Sequence, residues 1–307
     1  MEHAKNRTVE EFVKEYSTPL SIFATGLLIA MVMVYGPSDR STSAATPKDQ
    51  SQLQETVLPS VGVTLPITWG DLGKKLVEVG AIDPDKMATL YKDRGGLPTE
   101  FRDMLEKNVK GKIVMTNQSA GYLLNLLWAL GLANKNPILE DTNEMMNPAY
   151  KGSGSPAAGF ASTGGWTLAK GNPMDHYDAH MFITLTAAQQ ALVDRVSRNI
   201  YRPCCGNSTH FPDCNHGMAM LGLLELMASQ GVGEQNMYKT ALAVNSYWFP
   251  ETYLTIATYM QEKGTAWKNV SPKEMLSASY SSSSGYQDIS SKVTQLPQVQ
   301  SGGGCSA

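Results

Sequence analysis

The sequence predicts an all-α protein, with an N-terminal single transmembrane helix followed by an extracytoplasmic α-helical domain. Three observations carry this expectation. Residues 18–35 form an uncharged, almost wholly apolar run. Beyond residue 67, apolar positions recur at helical spacing between residues that start and stop helices. The only strand-like stretch that stands out is a scrap near Lys112–Met115.

The apolar run comes first. At 1.5 Å per residue, about 20 helical residues cross a hydrocarbon layer roughly 30 Å thick. The run just reaches this length, with Tyr16 and Tyr35 at its ends and Gly36-Pro37 to stop it. A cleaved signal peptide is the competing reading, but its leading segment would be long and acidic (Glu2, Glu10, Glu11, Glu15). Lys5, Arg7 and Lys14 precede the run, against Arg40 and Lys48 after it, which predicts a cytoplasmic N-terminus at residues 1–17. The bulk of the chain is then expected outside the cytoplasm, in a periplasm-like compartment, with the membrane and another membrane or extracytoplasmic protein as partners.

Residues 36–66 are rich in Ser, Thr, Pro and Gln and read as a flexible spacer. The helical domain is expected over 67–276. Thr68-x-x-Asp71 resembles a capping box for a helix closed by Gly80. Asp83-Pro84 opens a second helix that Gly95-Gly96 ends, and Pro98–Asn108 forms a third. Thr116–Ala133 is apolar enough to resemble a second span, but Asn117, Gln118, Ser119 and Asn125 suit a buried core helix better. Residues 134–175 are loop-rich and contain no phosphate-binding glycine motif. Thr186-x-x-Gln189 is a capping box before Ala187–Tyr201. Gly217–Gln230 reads as the central buried helix, stopped by Gly231. Glu234–Phe249 and Glu251–Lys263 follow, and residues 277–307, rich in Ser, Gln and Gly, are expected to be disordered.

With 42% hydrophobic residues in 307, the chain can build a core without a disulfide framework. Its formal net charge of −3 argues against a nucleic-acid partner. The chemistry concentrates instead at residues 203–216, where Cys204, Cys205, Cys214, His210 and His216 fall within one helix–loop–helix turn. Asp213 is placed to cap the second helix. Cys214 and His216 then sit at its N-terminus, where free N–H groups favour a thiolate.

Cys204, Cys205, Cys214 and His216 form a soft donor set for zinc, copper or an iron or haem cofactor, with His210 or the tail residue Cys305 completing the shell. His176 and His180 are further candidate ligands, spaced i, i+4. A redox reading makes Cys204 or Cys205 the attacking thiol, resolved by Cys214 or Cys305. A third reading is a disulfide from Cys214 to Cys204 or Cys205 that merely braces the turn. The residues leave these alternatives open. They contain no Ser-His-Asp set and no H-E-x-x-H.

The stretch Leu192–Phe249 carries Arg202-Pro203-Cys204-Cys205, Asn207-Ser208, Asp213 and two helices separated by Gly231-Val232-Gly233. In these features it resembles the small three-helix domain of the cytochrome c maturation thiol-oxidoreductases, which are membrane-anchored, extracytoplasmic proteins that keep apocytochrome cysteines reduced. Adjacent cysteines stand here where that family has C-x-x-C, and Cys214 and His216 are additional. The resemblance implies a three-helix geometry and an attacking thiol at Cys204 or Cys205. The function expected is thiol exchange or soft-metal binding at the turn. The alternative is a non-catalytic accessory subunit of a membrane complex, its helical domain braced by a disulfide.

Overall fold

Leu65, Ile67 and Trp69 are fully buried and alternate with exposed or partly buried neighbours, so residues Val63–Gly70 form a strand, β1. The structure, a computed structural model, describes residues 47–151 and 154–297. The strand pairs antiparallel with β2 (Val109–Met115), in a register that sets Val63 opposite Met115 and Gly70 opposite Val109. Gly62, at φ +83°, leads into it, and a Cβ there would meet Met115 O at 2.6 Å. The all-α expectation is corrected accordingly: the described residues are mostly helical, with one two-stranded sheet among them. Thr68 does not cap a helix. Its backbone N–H and C=O are taken instead by the Gln230 side chain at 2.9 and 2.7 Å.

The expected membrane anchor is also corrected. Among the described residues no helix is long and apolar enough to cross a membrane. The apolar run at 18–35 lies outside the described residues. Among the described residues the longest apolar helices span 14 and 15 residues, about 21–23 Å, short of the hydrocarbon thickness.

Helix α1 (Pro47–Val57) falls inside the expected spacer, with Val57 and Leu58 buried. It is followed by β1 and then α2 (Leu72–Val79), which Gly80 terminates in the left-handed conformation. In α3 (Pro84–Tyr91) Asp83 accepts hydrogen bonds from the N–H groups of Asp85 and Lys86, as its place before proline predicts. Helix α4 (Thr99–Glu106) packs on α2, where Gly73 leaves no room for a Cβ beside Met104 O.

Two nearly all-apolar helices form the centre, α5 (Ala120–Ala133) and α7 (Asn215–Ser229). A Cβ on Gly131 would lie 2.1 Å from Met218 O, and one on Gly222 2.5 Å from Leu127 O. Only glycine permits this backbone approach. Between them in sequence lies α6 (Ala187–Ser197), whose Thr186/Gln189 capping box is formed as the sequence predicts. Helices α8 (Glu234–Trp248) and α9 (Pro250–Glu262) complete the core.

The C-terminal region departs from expectation. Residues 277–297 are ordered around α10 (Pro272–Met275), α11 (Ala278–Ser281) and α12 (Ser283–Ser290). Serine-rich composition predicts disorder, but these serines work locally. Ser282 caps α12 through Gly285 N, and Ser281 Oγ bonds Met275 O at 2.6 Å and Tyr253 Oη at 2.7 Å. Ile289 is buried and anchors the last helix.

Candidate functional site

The turn between α6 and α7 is built on one buried arginine. Arg202 is 1% exposed and spends its guanidinium on the loop around it. Nη1 donates to Asn207 O at 3.1 Å and Nη2 to Phe211 O at 2.9 Å. Nη2 also pairs with Asp213, whose other oxygen accepts from Asn207 Nδ2 at 2.8 Å. Nε donates to Cys214 Sγ at 2.9 Å. The guanidinium fits because position 217 is glycine: a Cβ there would lie 2.5 Å from Arg202 Cζ. Asp213, expected to cap α7, is drawn off to Arg202. Cys214 takes the N-cap place, its sulfur accepting from Gly217 N at 3.4 Å.

The three thiols are free and close together. Cys204 is exposed, and its Sγ stands 3.5 Å from Cys214 Sγ. Hydrogen bonds from Cys204 and Cys205, with the Arg202 charge and His216 adding to them, hold Cys214 well below the ordinary thiol pKa despite its burial. The same contacts with Cys205 and Cys214, together with burial, push Cys204 up. Cys205 is pushed up to about 11, because contact with Cys214 and burial outweigh the lowering effect of Cys204. One proton-poor sulfur and two proton-rich ones therefore share the turn.

His216 is buried against Trp248 and Phe249, with ring centroids 5.6 and 4.4 Å away. One of its ring nitrogens lies within 4.8 Å of the Cys204 and Cys214 sulfurs. Cys205, Asp213 and Cys214 form a second, overlapping set within the same distance.

The other candidate residues are elsewhere. His210 does not join the cysteines. Its Nδ1 meets Glu144 Oε2 at 2.6 Å and its Nε2 meets Asp194 Oδ2 at 2.9 Å, beside an open cleft bordered by Asp141. Arg198, with His210 adding, holds Asp194 below the usual carboxylate range. His176 and His180 face each other, Nδ1 to Nε2 at 3.2 Å, and His176 Nε2 contacts Lys170 O. Among the described residues neither shares a three-donor group with the cysteines. Cys305 lies outside the described residues.

Two residues escaped the sequence reading. Arg202 was visible only as part of the Arg-Pro-Cys-Cys turn. Glu225 is fully buried in the middle of α7, accepting from Asn134 Nδ2 at 3.1 Å and Asn136 Nδ2 at 2.6 Å. Burial raises its pKa well above the ordinary carboxylate value, against the pull of those two amides. A lone carboxylate inside GMAMLGLLELMAS was the available signal.

Fold and turn together define a helical protein with a charge-supported thiol cluster at a helix N-terminus. Among known proteins, the chain matches no protein-family model, no curated protein and no solved structure.

Proposed function

We propose that the turn is a thiol–disulfide exchange site that oxidises partner dithiols through a Cys204–Cys214 disulfide. The observation that supports this reading is the pairing of an exposed sulfur, Cys204, with one 3.5 Å away whose anion is held by Arg202 Nε and the α7 N-terminus. In the oxidised form, a partner thiolate attacks Cys204 Sγ, the accessible end. The Cys204–Cys214 bond breaks, and its electron pair leaves on Cys214 Sγ, where Arg202 and Gly217 N–H receive it. A second partner thiolate then attacks the partner's own sulfur in the mixed disulfide. Cys204 is expelled and takes up a proton. The partner leaves as a disulfide, the turn is reduced, and a low-molecular-weight disulfide regenerates it.

A stabilised leaving thiolate favours the reduced turn and so makes the disulfide a stronger oxidant. Leu192–Phe249 resembles a family whose thiols exchange disulfides in the reducing direction, so the resemblance supports exchange at the turn and not its direction. The test is equilibration of the purified protein with glutathione buffers, with the Cys204/Cys214 state read by alkylation and mass spectrometry. The expected reduction potential lies above about −300 mV, the level below which structural disulfides sit. A pair that stays oxidised below that level would favour the bracing, non-catalytic alternative, and a pair that never oxidises would exclude exchange.

A further inference from the structure

The geometry points to a second capacity of the reduced turn: binding one thiophilic d10 cation of the zinc class through Cys204, Cys205, Cys214 and His216. The inference needs the thiols to be reduced, and it does not need them to exchange. Two independent observations carry it.

The first is the spacing of the donors. Tetrahedral zinc–thiolate bonds of about 2.3 Å place two sulfurs about 3.8 Å apart. Cys204 and Cys214 stand at 3.5 Å, within a few tenths of an ångström of that value. A His216 nitrogen lies within 4.8 Å of both sulfurs, so three donors of two chemical kinds already converge. Cys205 Sγ lies within 4.8 Å of Cys214 Sγ and is the natural fourth donor. Softer than Asp213, which is committed to Arg202, it also matches the cation better.

The second observation is an orphaned polar atom. His216 is 4% exposed, and its Nδ1 has no hydrogen-bond partner. A buried ring nitrogen left unpaired costs the fold its desolvation, and native proteins rarely tolerate that without a reason. Trp248 and Phe249 hold the ring in place beside the thiols. An imidazole fixed against a thiolate in this way is a preformed ligand.

The surroundings suit an ion. Three thiolates and a neutral imidazole on a divalent cation leave one net negative charge, and the buried guanidinium of Arg202 sits against it. Exposed Cys204 leaves one side of the site open, which gives the ion a route in and out. His210, held by Glu144 and Asp194, contributes nothing to this shell.

The test titrates the full-length, reduced protein with Co²⁺ under anaerobic conditions, and then with Zn²⁺. One equivalent of cobalt is expected, with the intense visible bands of a tetrahedral thiolate site, displaced by one equivalent of zinc. Cys205→Ser should lower the sulfur-to-cobalt charge-transfer intensity by about one third, and His216→Gln should weaken cobalt binding at least tenfold. Should either variant fold poorly, X-ray absorption of the zinc-loaded parent protein decides instead. Three sulfur neighbours near 2.3 Å and one nitrogen near 2.0 Å are expected. Non-stoichiometric binding, a weak octahedral cobalt spectrum, or variants that bind like the parent would overturn the inference. Metal binding without disulfide exchange would defeat only the proposed function, and exchange without metal binding would defeat only this inference.

Discussion

At the scale of single residues, Arg202 is the least replaceable part of the turn. Its guanidinium is buried, satisfied by two carbonyls, paired with Asp213 and donated to Cys214. Lysine could supply the charge but not the fork of donors that holds all four at once. In Arg202→Gln the Cys214 thiolate loses its counter-charge. Followed by thiolate absorbance, its titration should move up by at least one pH unit. One unit corresponds to about 1.4 kcal/mol, and hence to a fall of about 30 mV in reduction potential. An unchanged titration would show that the arginine supports only the loop. The sign of the pH dependence follows from the lowered Cys214 value. The stability that this thiolate gives the reduced fold is present above the ordinary thiol range and lost as pH falls through the lowered value. Cys214→Ser should therefore flatten the acid side of the melting-temperature profile.

At the scale of elements, α7 carries the design. Its N-terminus holds Cys214 and His216, its glycines let α5 approach, and its middle buries Glu225. The two amides on Glu225 partly support an anion, but burial dominates and raises its pKa well above the ordinary carboxylate value. Asn136 ties the same network to Asp178, whose pKa is raised by burial to about 6. A carboxyl with a raised folded pKa leaves stability intact below the ordinary carboxylate range and costs stability as pH rises through the raised value. Glu225→Gln should remove that alkaline loss. Melting temperatures from pH 4 to 9 should converge at the acid end and favour the variant at the alkaline end. Parallel profiles would refute the raised Glu225 pKa.

At the scale of the whole molecule, the C-terminal segment braces the site. Tyr201 N donates to Leu276 O, Ser283 N donates to Cys205 O, and Asn199 Nδ2 donates to Lys273 O. The last helix is held by Ile289, so its loss should be felt at the cysteines. Ile289→Ala is expected to destabilise the fold by about 2–4 kcal/mol. It should also speed alkylation of Cys205 and hydrogen exchange over residues 276–290. If alkylation is unchanged while stability falls, the segment contributes packing and no bracing. The central contact of α5 with α7 and the β1 contact to Gln230 likewise join partners far apart in sequence.

Most helices were legible because their signals are local. Asp83 before proline, the Thr186/Gln189 box and the stops at Gly80 and Gly231 each act within one turn of backbone, so neighbouring residues suffice to read them. The crowding of cysteines and histidines at 204–216 was equally plain. The division of labour inside that cluster was not. His210 is claimed by Glu144, 66 positions away, and Glu225 by Asn136, 89 positions away. The strand β1 was masked by a false capping pattern at Thr68, and the serine-rich C-terminus by its composition. By itself, then, the sequence determined where helices begin and end and where the soft donors gather. Tertiary structure decided which histidine faces the thiols, which carboxylate the arginine keeps, and which sulfur the arginine contacts. Those outcomes depend on desolvation and on partners brought together only when the chain is packed.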